Sequence, residues 1–81
     1  MEIKEGQIYQ NDSVKLVIKK HLFTGGASGK RERVVVAFAD DSGDMECYLD
    51  IFGSNLFLIA SYNTWQEAVN TEGFRVGNIL I

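Results

Sequence analysis

Apolar and polar side chains alternate along most of this chain, the period-two pattern of half-buried strands. From Val14 to Leu22, Val14, Leu16, Ile18 and Leu22 share one parity and Lys15, Lys19 and His21 the other, with Lys20 interrupting the apolar side. A shorter strand is expected at Gly6 to Tyr9, ended by the turn-forming Asn11-Asp12-Ser13. Arg33 to Ala39 is apolar on both parities through Val34, Val35, Val36, Ala37 and Phe38, the mark of a central strand covered on two sides. Asp40-Asp41-Ser42-Gly43 makes a tight connection into Met45, Cys47 and Leu49, which alternate with Glu46, Tyr48 and Asp50. This is the clearest hairpin in the sequence. Thr24 to Lys30, with Gly25, Gly26 and Gly29, reads as a flexible loop, and Ile51 to Asn55 as a turn or short helix. Leu56 to Tyr62 reads as a further strand, and Ile79-Leu80-Ile81 as a last one pairing at an edge.

Helical spacing occurs once, from Trp65 to about Glu72. Trp65, Ala68 and Val69 stand at i, i+3 and i+4, a single apolar face. Thr64 precedes it as N-cap with Glu67 three residues on, the capping-box spacing, and Gly73 is a natural stop. Two turns do not hold themselves in water, so this helix is expected to dock on the sheet through Trp65. Short antiparallel strands with tight connections favour a mainly β (α+β) fold. The expected architecture is a small five- to six-stranded antiparallel SH3-like partly open barrel, or a curved sheet, with one short C-terminal helix.

Composition narrows this picture. The chain has 81 residues, room for a single small globular domain over 1–81. Leu, Ile, Val and Phe make up 25 of them, about 31%, enough to fold. Leu56 to Ala60, the longest apolar run, is far too short for a membrane helix, and Met1 to Glu5 lacks the apolar stretch of a secretory signal. No membrane partner is expected, and the oligomeric state stays open.

Net charge is −3 but unevenly spread. Residues 14–33 hold Lys15, Lys19, Lys20, Lys30, Arg31 and Arg33 against Glu32 alone, a balance of +5, and the remainder carries −8. Such segregation marks an electrostatic contact surface. If the two flanking strands pair around Thr24 to Lys30, then Lys15, Lys19, His21, Arg31 and Arg33 converge on one outward face with Lys30 at its rim. These six are the candidate binding residues, and the acidic stretch around Asp40, Asp41 and Asp44 is the alternative surface.

Catalytic and metal chemistry find little footing. In Gly25-Gly26-Ala27-Ser28-Gly29-Lys30-Arg31 the glycine spacing is wrong for a phosphate loop, Arg31 replaces the magnesium-binding hydroxyl, and a strand follows instead of a helix. The acids Asp40, Asp41, Asp44 and Glu46 have Met45 where a calcium loop needs glycine. Cys47, the single cysteine, excludes a multi-cysteine zinc site and shares the apolar parity of Met45 and Leu49. His21 shares the polar parity of Lys15 and Lys19, so the two are not expected to form a nucleophilic pair. No catalytic residue, metal or cofactor is expected. Nucleic-acid binding has Phe23 as the sole aromatic residue within the basic stretch, and an acidic pI works against it.

The segment Leu58-Ile59-Ala60-Ser61-Tyr62-Asn63-Thr64-Trp65-Gln66-Glu67-Ala68-Val69-Asn70-Thr71-Glu72-Gly73-Phe74 resembles the C-terminal part of many small, largely uncharacterised proteins encoded by phages and prophages of Gram-positive bacteria. There a stretch like L-I-A-x-Y-x-T-W-Q-E-A-V-N-S-x-E-F closes a short β-rich domain, and Glu5-Gly6-Gln7-Ile8-Tyr9 is similar to their openings. The chain departs from the pattern at Gly73, where the family continues its helix, and at Arg75 to Ile81, which run past its usual end. The resemblance implies the bacterial cytoplasm and no activity.

The function expected on these grounds is non-enzymatic: a phage-type protein-binding module acting on a host protein. Inhibition of a host defence system, of the anti-CRISPR kind, is its most concrete form. The alternatives are a nucleic-acid-binding regulator using the basic hairpin 15–33 and a sponge for small nucleotides, which would need a pocket.

Overall fold

The computed structural model describes residues 2–25, 31–40, 43–53 and 55–74. Five strands follow in order: β1 (Gln7–Gln10), β2 (Lys15–Gly25), β3 (Arg31–Phe38), β4 (Asp44–Tyr48) and β5 (Phe57–Ser61). A 3-10 turn, Leu49–Phe52, links β4 to β5, and helix α1 (Trp65–Glu72) comes last. All pairings are antiparallel, in the order β4-β3-β2-β1-β5. The architecture is therefore mainly β, and among the described residues the sheet stays open, with β4 and β5 at its edges. The last strand expected at Ile79-Leu80-Ile81 lies outside the described residues, as do Gly26 to Lys30 and Asp41-Ser42.

Both faces of the sheet are apolar at its centre. On one, Tyr9, Leu16, Ile18, Val34, Val36 and Cys47 form a core with Ile3, over which Leu49, Phe52, Leu56 and Leu58 pack. Phe38 and Phe52 meet edge-on there, ring centres 5.8 Å apart. On the other, Ile8, Val17 and Ala37 receive Ala68 and Val69 of α1, with Phe74. β3 is an interior strand between β4 and β2, but the expected cover on both sides is only partial: on the helix side it reaches Ala37 and Ala39 and not residues 31–35. Helix docking rests on the fully enclosed Ala68 and Val69, whereas Trp65 is half-buried at the margin of the same cluster.

The ends of α1 are fixed locally and from afar. The Thr64 side chain accepts a hydrogen bond from the Glu67 amide at 3.1 Å, the expected cap. A second free amide, that of Trp65, donates to the Glu5 carboxylate at 3.0 Å, so the N-terminal segment supplies an anion to the helix start. Gly73 closes the helix in the left-handed conformation, with the Phe74 amide reaching back to the Val69 carbonyl. Gly6 also has positive φ, and a Cβ there would overlap the Tyr62 carbonyl oxygen.

β2 departs from the expected alternation. It runs to Gly25, and its register against β3 slips twice, between Ile18 and Lys20 and between His21 and Phe23. Each slip is a β-bulge, an extra residue that shifts which side chains share a face. Lys20, the residue that broke the apolar parity in the sequence, follows the first bulge.

Candidate functional site

The bulges decide where the basic residues go. Beyond the first, His21 lies opposite Val34 and so joins the face away from α1, while Phe23, beyond the second, lies opposite Arg33 on the helix side. The expected convergence of Lys15, Lys19, His21, Arg31 and Arg33 on one face is therefore corrected: His21 leaves it. Lys30 lies outside the described residues. Lys15 is carried to the far end of β2, where it pairs with Glu72 at 3.2 Å beside the Phe74 ring.

Charge segregation in the sequence also disappears in space. The β3–β4 hairpin and the turn after it bring acids onto the cations: Lys19 pairs with Asp44 at 2.6 Å, Arg33 with Glu46 at 3.0 Å and Arg31 with Asp50 through two hydrogen bonds of 2.9 and 3.1 Å. His21 meets Glu32 at 2.7 Å. Of the acidic stretch expected as the alternative surface, Asp44 stands among the cations, and Asp41 lies outside the described residues. Among the described residues of the basic stretch, Lys20 is exposed and makes no ion pair.

What the fold does bring together is an aromatic–arginine row. Phe23, Arg33 and Tyr48 stand in register across β2, β3 and β4, on the part of the helix-side face that α1 leaves open. The Arg33 guanidinium lies 4.9 Å from the Tyr48 ring centre, and Arg31, two residues along β3, lies 3.8 Å from it. One phenol ring thus holds two guanidinium groups against a flat support, where planar stacking suits arginine better than lysine. Phe23 is 51% exposed, so the row ends on an apolar side chain turned to solvent. Lys19, 4.2 Å over the Trp65 ring, borders it on the α1 side. Sequence reading found Arg31 and Arg33 but missed Tyr48, whose acidic neighbours in the chain masked its basic neighbours in space.

The opposite face carries a small cavity of about 220 Å³ lined by Tyr9, Glu32, Leu49, Asp50, Gly53 and Leu56. At its wall one oxygen of Glu32 accepts from Thr24 at 3.0 Å and meets His21. Burial, helped by the Glu32 charge, pushes the Tyr9 phenol above its ordinary value. Cys47 and His21 flank Val34 on strands either side of β3, so a full strand separates them. Burial raises the Cys47 thiol, with Arg33 opposing, which is the reverse of what a nucleophile needs. Among the described residues no three His, Cys, Asp or Glu side chains gather to hold a metal ion, and no helix is long and apolar enough to cross a membrane.

No family model matches the chain, and no curated protein and no solved structure shows significant similarity to it.

Proposed function

We propose that this protein is a non-enzymatic binding module that engages another protein through the Phe23–Arg33–Tyr48 row, with Arg31 beside it. The observation that carries the reading is that row: arginine and tyrosine are side-chain types that dominate binding energy at protein interfaces, and exposed phenylalanine is enriched there. Stacking on Tyr48 restricts both guanidinium groups before a partner arrives, which reduces the ordering cost on contact. Their ion pairs are solvent-exposed and therefore weak, so a partner carboxylate displaces Glu46 or Asp50 at little cost. What supports a phage-type reading is the tail resemblance, under which the module would act in the bacterial cytoplasm on a host-defence protein as its most concrete partner.

A nucleic-acid reading has one observation in its favour, the aromatic rings flanking Arg33, on which bases stack. The interleaved Asp44, Glu46 and Asp50 weigh against it, because they repel a phosphate backbone at the place where it would lie. A pull-down from infected host lysate, with nuclease-treated and untreated arms, separates the two. A protein partner retained after nuclease and lost with the Arg31→Ala, Arg33→Ala double variant is the expected result. Recovery only with intact nucleic acid, or full binding by a correctly folded double variant, overturns it.

A further inference from the structure

Three cations stand at regular levels along the open part of the helix-side face. Arg31 and Arg33 occupy alternate positions of β3, and the next residue of that parity, Val35, lies opposite Lys20 of β2. Cross-strand partners share a face, and successive same-face positions are roughly 7 Å apart, so Lys20 continues the series one strand over. The first β2 bulge puts it there, by leaving Lys19 as the extra residue and bringing Lys20 into register with Val35. Lys20 is exposed, and among the described residues it has no acidic partner.

The two arginines show by their own contacts what they hold. Arg31 grips the Asp50 carboxylate as a fork, Nε to one oxygen and Nη2 to the other, and Arg33 holds one Glu46 oxygen through the same two donors. The two acids are 56% and 54% exposed, so they exchange readily with an incoming carboxylate.

We infer that the row receives an extended acidic segment of the partner, with carboxylates at every second residue that replace Asp50 and Glu46 and add Lys20. This rests on the row being the working surface. An extended chain turns alternate side chains to one side at the spacing β3 itself uses, so three carboxylates reach the three levels without a bend. Exposed Phe23, level with Arg33, meets an apolar residue at the flank of the segment. The track ends at the next position, because Ala37 is enclosed under α1. A longer polyanion would run on past Lys20 towards Asp44, on a body of net charge −3, whereas a segment of three acids stops where the cations stop.

Titration of the isotope-labelled full chain with synthetic peptides, up to about 5 mM at low salt, follows amide shifts in the range of weak contacts. One peptide is Gly-Glu-Thr-Glu-Thr-Glu-Gly, and the other, Gly-Glu-Glu-Glu-Thr-Thr-Gly, has the same composition with its acids contiguous. The expected shifts centre on Lys20, Arg31, Arg33 and Tyr48, with the alternating peptide bound about two- to five-fold more tightly. Lys20→Gln should weaken it by a similar factor, whereas Asp50→Asn and Glu46→Gln, which remove the internal competitors, should each tighten it about two- to five-fold. Asp12→Asn, the same change of charge at the exposed β1–β2 turn, should leave binding unaltered. Absence of binding, equal binding of the two peptides, an Asp12→Asn effect as large as the others, or tighter binding of an oligothymidylate with three phosphates overturns the proposal. If any of these occurs while the Arg31→Ala, Arg33→Ala variant still loses its captured protein, the acidic segment falls and the row remains the working surface.

Discussion

The helix-side face of the sheet is divided between two neighbouring regions built from the same strands. Where α1 lies over β1 and β2, the strands present Ile8, Val17 and Ala37, all fully enclosed. Two to six residues away, on the uncovered part, the same parity of β3 that gave Ala37 gives Val35, Arg33 and Arg31. A single strand therefore changes from packing residue to contact residue as its cover ends. The lesson is that parity along β3 does not distinguish the two regions; the change from Arg31 and Arg33 to Val35 and Ala37 does, and it coincides with the reach of an eight-residue helix.

The largest effect expected on the covered region is at Gly6. Its positive φ and the Tyr62 carbonyl beside it leave no space for a methyl group, and its amide and carbonyl bond to Ile18 and Tyr62. Gly6→Ala should cost about 3–4 kcal/mol or more in urea unfolding, since both strain and overlap with rigid backbone are involved. A loss below about 1 kcal/mol would show that the chain relaxes there and that the covered region is less tightly fixed than the contacts imply.

Trp65 at the boundary comes next. Full burial would make Trp65→Ala worth about 3–5 kcal/mol, but half-buried packing plus the Lys19 contact predicts about 2–3 kcal/mol. Chemical denaturation of the variant measures it. A value near zero would detach Trp65 from the covered region and assign it to the open one.

A smaller, pH-dependent effect is expected where Tyr62 and Lys15 meet Glu72. The hydrogen bond from the Tyr62 hydroxyl, with a lesser one from Lys15, holds the Glu72 carboxyl below its ordinary 4.5. A depressed carboxyl pKa contributes stability that is complete above the unfolded value and is lost as pH falls through the folded one. Wild-type protein should therefore lose stability below about pH 4.5 more steeply than Tyr62→Phe, the two profiles converging as the Glu72 carboxyl becomes protonated in the folded protein. Parallel profiles would remove the Tyr62–Glu72 bond from the account. The smallest effect belongs to the open region, where losing Arg31 and Arg33 together should leave the unfolding midpoint unchanged while abolishing partner capture.

Much of this division was legible in the sequence, for identifiable reasons. The helix limits, Trp65 to Glu72, follow from signals within a few residues of each other, Thr64, Glu67 and Gly73. The strands follow from alternation, and the interior place of β3 from its absence, although the cover expected on both of its sides stops at Ala37 on the helix side. The site was less legible because its determinants are not local. The β2 bulges move His21 and Phe23 to opposite faces, and their one trace in the sequence is Lys20 on the wrong parity. The pairing of Lys19, Arg33 and Arg31 with Asp44, Glu46 and Asp50 crosses from one strand or turn to another, so a count of charge along the chain counts as segregated what the hairpin neutralises. Glu5 at the start of α1 is 60 residues from its partner amide.

The position of β1 also bears on how the chain reaches this state. One neighbour, β2, is joined to it by a short turn, whereas β5 arrives about 50 residues later in the chain. Closing that long loop costs more entropy and gains its reward later, so topology favours the meander of β1 to β4 forming ahead of β5 and α1. Until then Ile8, Val17 and Ala37 stand bare on a sheet whose charged outer row is already in place. The slow step of folding and the first step of unfolding are then the same event, arrival and departure of the last eighteen described residues, Phe57 to Phe74.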